Sequence, residues 1–182
     1  MSAPLLIVDV QIGFINDFTH HIPERVGKLI GSGEYDPILF TRFINVPDGP
    51  YSRFLNWDGC NCEPESNIVP ELATFATPDR VFSKSGLCGL PNELTDYLLK
   101  QGIEKVYVLG IDTDMCVLKI AMDLFDIGIE PIVLTDCCAS TAGLQAHLAG
   151  LAVLSRNIGA TRLLEAGVGD RMLAAPVKPS KN

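Results

Sequence analysis

Residues 106–134 read VYVLGIDTDMCVLKIAMDLFDIGIEPIVL, and the spacing of apolar residues changes twice along them. Val106 to Leu109 is a short unbroken apolar run, the pattern of a strand buried on both faces. Val117, Ile120, Ala121, Leu124 and Phe125 then recur at helical spacing on one face, and Gly128 stops the helix. Ile132 to Leu134 forms the next strand. A strand, a helix and a strand in succession make a βαβ unit, whose crossover is right-handed.

The same alternation runs through the rest of the chain. Leu5 to Val8 is another short apolar run, ending at Asp9. From Ile22 through Val26, Leu29 and Ile30 the spacing is helical, with Pro23 near the start and Gly31 and Gly33 beyond the end. Pro37 to Thr41 reads as a second strand, and Arg80 to Phe82 as a short one leading into Ser83 and Lys84. Pro91 to Lys100 is amphipathic through Leu94, Leu98 and Leu99. Residues from about Ala142 to Leu154 are helical, and Thr161 to Ala166 reads as a last short helix. These elements predict a three-layer α/β sandwich, a mainly parallel sheet flanked by helices in Rossmann-like fashion. Residues 1–182 are read as one domain, with a frayed tail at 176–182. The stretch from Asn45 to Glu65 is rich in Pro, Gly, Asn and aromatics and has neither period, so it reads as a long loop, a lid or an interface.

At 182 residues and 47% hydrophobic, the chain has ample material for one core, which excludes disorder and coiled coil. The formal net charge of -8 works against binding a phosphate backbone, so nucleic acid is not expected as a partner. No basic leader precedes Leu5, and its apolar run is too short for a signal sequence or membrane span. The expectation is a cytoplasmic protein without a membrane partner. In a reducing compartment the six cysteines are buried small hydrophobes or include one functional thiol.

Sites in such sheets form beyond the C-terminal strand ends, which selects Asp9, Lys84 and the turn Gly110 to Cys116. Cys116 stands at or near a helix N-terminus, where unpaired N–H groups and the dipole favour a thiolate; Thr113 or Asp114 would be the N-cap. Lys84 can lower a thiol pKa further and Asp9 can accept its proton. Phe14, Tyr51 and Trp57 are candidates for a substrate pocket wall, though Tyr51 and Trp57 serve equally as anchors of their loop or as a subunit contact. Cys60, Cys62 and Cys88 lack a fourth zinc ligand of suitable spacing, and Cys137 and Cys138 read as structural. Asp9 to Gly13 supplies no glycine-rich dinucleotide turn.

Three stretches, LLIVDVQIGF (Leu5 to Phe14), VFSKSGLCG (Val81 to Gly89) and GIDTDMCVLKIAMDLFDIGIEPIVLTDCCAS (Gly110 to Ser140), resemble the isochorismatase-like cysteine hydrolases, which include nicotinamidases and N-carbamoylsarcosine amidases. The resemblance implies a catalytic triad of Asp9, Lys84 and Cys116, a non-proline cis peptide between Ile111 and Asp112, and an oxyanion hole from the backbone N–H groups of Asp112 and Cys116. It implies hydrolysis of a C–N bond in a small amide or carbamoyl compound through a thioester on Cys116. A homo-oligomer is usual in the family. Nicotinamidases carry a metal-binding Asp-x-His after the second strand, where this chain reads Thr41-Arg42-Phe43-Ile44-Asn45. His20 and His21 are adjacent and His147 is alone, so no metal and no other cofactor is expected, and nicotinamide itself is questioned as substrate. The alternatives are a thiol redox sensor pairing Cys116 with Cys88 or Cys137, a ligand-binding pseudoenzyme, and an isochorismatase-type hydrolase.

Overall fold

Leu5–Val8 forms β1, and all four of its side chains are fully buried, which accounts for an apolar run without alternation. In this computed structural model, which describes residues 3–86 and 89–168, β1 is central. It pairs in parallel with β2 (Ile38–Phe43) on one side and with β4 (Lys105–Ile111) on the other. Beyond them lie β3 (Val81–Lys84), then β5 (Glu130–Ala139) and β6 (Leu163–Leu164), giving the order β3-β2-β1-β4-β5-β6 with every pairing of named strands parallel. The chain moves outward from β1 in one direction and from β4 in the other. Strand order therefore reverses at β1 and β4, and the crevice beyond their C-terminal ends is where such sheets bind ligands.

The helices are α1 (Ile22–Gly31), α2 (Pro50–Leu55), α3 (Asn92–Lys100), α4 (Leu118–Asp126) and α5 (Leu144–Ile158). Gly110 sits at a positive φ of 128° beside an irregularity in the β4–β5 ladder. A Cβ there would run into the Val8 carbonyl oxygen, so only glycine lets β4 close on β1 immediately before the turn that carries Cys116.

Several expectations need correction. Residues 45–65 are not simply a loop: α2 forms within them, ended by Asn56 at φ 50°, and it buries Tyr51 against Phe43 and Cys60 in a small second core. A six-residue helix is too short to show a period, and its stability comes from those aromatic contacts. The helix expected at Thr161 to Ala166 is instead a 3-10 turn at Ala160–Arg162 followed by β6. Its two strand residues take their structure from β5, a partner no local pattern reveals. Leu99 and Phe125 are exposed, because each stands about 100° around its helix from the buried Leu98 and Leu124. The tail at 176–182 and Cys88 lie outside the described residues.

Candidate active site

Asp9 follows β1 at a φ of 50°, a left-handed conformation uncommon for a residue other than glycine. Its Oδ1 accepts a hydrogen bond from Thr41 Oγ1 at 2.7 Å, and its Oδ2 lies 2.8 Å from Lys84 Nζ. Lys84 comes from β3, two strands away. Its register partner on β2 is Phe43, and the ammonium passes 5.4 Å from the centre of that ring. Beyond Asp9, Lys84 Nζ reaches Cys116 Sγ at 3.2 Å. The side chains of Asp9 and Lys84 are wholly excluded from solvent, whereas Cys116 is half-buried. The structure thus brings together the three residues that the strand-end argument selected.

Cys116 sits in a π-type turn, Thr113–Val117, that runs into α4. The N–H groups of Met115 and Val117 both donate to the Asp112 carbonyl, at 3.2 and 3.0 Å. Asp112, rather than Thr113 or Asp114, occupies the N-cap position, and its side chain does not cap the turn. The carboxylate instead accepts from Thr141 N at 2.5 Å and Thr141 Oγ1 at 2.9 Å. Thr113 is buried and hydrogen-bonded to His147 Nδ1 at 2.8 Å, so it serves α5 contact and not capping. The peptide between Ile111 and Asp112 is cis.

Burial, with the negative charge of Asp9, pushes the Cys116 thiol up from its ordinary value, and Lys84 opposes this only in part. Desolvation thus works against the thiolate that the helix terminus favours. For Lys84, burial pulls the pKa down, but the Asp9 carboxylate and the contact with Cys116 outweigh it, and the ammonium is held above its usual range. Burial likewise raises Asp112 to about 6, against the lowering effect of its Thr141 bonds.

A cavity of about 390 Å³ opens at Cys116. Phe14, Tyr51 and Trp57 line it as expected, and Trp57 stacks on Phe14 with ring centres 6.2 Å apart. Tyr51 and Trp57 also pack on Phe43, so anchoring the segment and walling the cavity are one role. Phe43, Asn16 and Thr141 line it too, and sequence reasoning missed them. The buried Gln11 fixes Phe43, accepting from its N–H at 2.7 Å and donating to its carbonyl at 2.8 Å. A larger cavity of about 470 Å³ lies between α1 and α5, but none of Asp9, Lys84 and Cys116 lines it.

A nicotinamidase-type metal does not fit here. Thr41 is committed to Asp9, Arg42 to Ser83, and among the described residues no three His, Cys, Asp or Glu side chains converge. Nor, among those residues, is any helix long and apolar enough to cross a membrane.

The architecture is that of isochorismatase-like hydrolases. An isochorismatase-like hydrolase from Alkaliphilus metalliredigens superposes with a TM-score of 0.76 at 21% identity, covering 91% of this chain and 95% of that one. N-carbamoylsarcosine amidase from Thermoplasma acidophilum gives 0.71 at 19% identity, covering 93% and 98%. Nicotinamidase from Bacillus subtilis gives 0.73 at 19%, covering 91% and 100%. A nicotinamidase from Acinetobacter baylyi is 34% identical over 70 residues, 38% of this chain and only 29% of that relative's length. Residues 3–165 match the isochorismatase domain, and the chain belongs to that family.

Proposed function

We propose that this protein is a cysteine hydrolase that cleaves a C–N bond in a small amide or carbamoyl compound. The observation that carries the reading is the position of Lys84 Nζ, 2.8 Å from Asp9 Oδ2 and 3.2 Å from Cys116 Sγ, beside an open cavity. A thiol whose pKa is raised needs a base at the moment of attack, and the Asp9 carboxylate supplies one.

In this scheme Asp9 takes the Cys116 proton, Lys84 balances the charge on sulfur, and sulfur attacks the substrate carbonyl carbon. The backbone N–H groups of Asp112 and Cys116 hold the oxyanion. The intermediate collapses with cleavage of the C–N bond, Asp9 returns the proton to the leaving amine, and an acyl thioester remains on Cys116. Water, deprotonated by Asp9, then attacks the thioester, releases the acid and restores the thiol. The redox reading has weaker support where the partner is Cys137, which is buried in β5 with its thiol pushed up to about 12, a poor partner for disulfide exchange.

Ammonia release from a panel of small amides and carbamoyl compounds, measured for the wild type and Cys116→Ala, tests the proposal. Release by the wild type that is absent in the variant is expected. Equal release by both, or none from any compound, contradicts it.

A further inference from the structure

The cavity at Cys116 is chemically one-sided. Its walls are aromatic, with Phe14, Phe43, Tyr51 and Trp57 presenting ring surface, and among the described residues that line it none is Lys, Arg or His. The nearest cation, Lys84, has no exposed side-chain surface and is occupied by Asp9 and Cys116. Among the described residues that line it, Asp112 is the one carboxylic acid. Its two oxygens each accept one hydrogen bond from Thr141, itself a lining residue, which ties the carboxylate to a second residue of the cavity. A carboxylate has about four acceptor positions, so acceptor capacity remains for a ligand.

We infer that Asp112 sets the charge selectivity of this site, accepting an N–H donor or cationic nitrogen on the non-reacting part of an aromatic or apolar amide and turning away substrates that carry a carboxylate. This rests on the proposed amidase reading for the identity of the bound compound. An anionic substrate entering here would be desolvated with no counter-charge and would face a like charge, both costly. A cationic or donor-bearing group would meet the acid and the ring faces together, the combination that recognises ammonium ligands. The overall charge of -8 acts in the same direction at longer range.

The groups near the Asp112 carboxylate are Thr141 after β5, Asp114 on its own turn, Asp9 after β1 and Tyr51 on α2. With Asp112 at about 6, the carboxylate is charged near neutrality and loses its charge in mild acid. Selectivity against anions therefore weakens as pH falls.

The chain has a single tryptophan, Trp57, in the cavity wall, so its fluorescence reports occupancy without turnover. Three matched probes are titrated: benzamide, para-aminomethylbenzamide (cationic) and para-carboxybenzamide (anionic), alongside ammonia assays. At about pH 8 the cationic probe is expected to bind about 10-fold or more tighter than the anionic one. The gap should narrow to within about 3-fold in Asp112→Asn, which can keep both Thr141 contacts, and in wild type at about pH 5. Thr141→Val, which keeps the acid, should preserve the order of affinities. Equal affinities in wild type, binding of none of the three, or an unchanged gap in Asp112→Asn and at low pH would overturn the inference. The expected order of binding with no ammonia released from any amide would sink the amidase reading and leave the charge selectivity standing.

Discussion

Thr41 Oγ1 donates to Asp9 Oδ1 at 2.7 Å, between two side chains that are both wholly buried. Thr41 is the register partner of Val8 on β2, so the parallel ladder itself brings the hydroxyl beside the residue that follows β1. The hydroxyl fixes one carboxylate oxygen and leaves the other to Lys84. Thr41→Val is expected to leave that oxygen without a donor, costing about 1–3 kcal/mol of stability. It should also lower kcat more than it changes KM, with Thr41→Ser restoring both. Urea unfolding and steady-state kinetics of the two variants check this, and an active, stable valine variant would count against the positioning role.

Lys84 and Asp9 form an ion pair with no solvent exposure on either side chain. Removing one partner strands a buried charge, so Lys84→Met should destabilise the fold by about 3–5 kcal/mol. The double variant Asp9→Asn/Lys84→Met removes both charges and should recover much of that stability with no recovery of hydrolysis. Thermal melts and ammonia assays on the three proteins separate the two effects; if the double variant is no more stable than the single, the pairing argument fails.

Gly150 on α5 packs against the Thr113–Val117 turn so closely that a Cβ would stand 2.8 Å from Asp114 Cα and N. Gly150→Ala must therefore push α5 away from the turn carrying Cys116, at an overpacking cost of about 1–3 kcal/mol. Catalysis should fall by more than the loss of folded protein accounts for. A variant with unchanged kcat at full folding would show that the turn tolerates the shift.

Asp112 carries a pH signature of its own. Its folded pKa is raised from 3.8 to about 6 by burial, so the neutral acid is the form the fold favours. That preference is fully present below the unfolded value and is lost as pH rises through about 6, leaving a constant penalty on the charged form above it. Asp112→Asn should therefore gain stability on the order of 2 kcal/mol near neutrality. The gain should disappear by about pH 4. Chemical denaturation across that range is the check, and a gain independent of pH would contradict the burial argument.

The parts of this molecule readable from sequence are those governed by local pattern. β1, β4 and β5 are buried on both faces and announce themselves as apolar runs, and the acids and thiol at their ends follow from the strand-end rule. Thr41, Gln11 and Thr141 could not be read this way, because each acts through a partner that only strand register or loop packing brings near. Tyr51 illustrates the same limit: its place in α2 depends on Phe43 and Cys60, and nothing in Pro50 to Leu55 shows a period. The place of Cys116 at a helix start is visible in sequence, whereas the desolvation that raises its thiol is not.

The most direct test of the account is intact-protein mass after rapid acid quench of wild type and Cys116→Ala mixed with a slowly hydrolysed amide found by the ammonia panel. The account predicts an increment equal to the acyl group on the wild type, located at Cys116 and absent from the alanine variant. An unmodified wild type that still turns over the amide, or an increment that persists in Cys116→Ala, would contradict it.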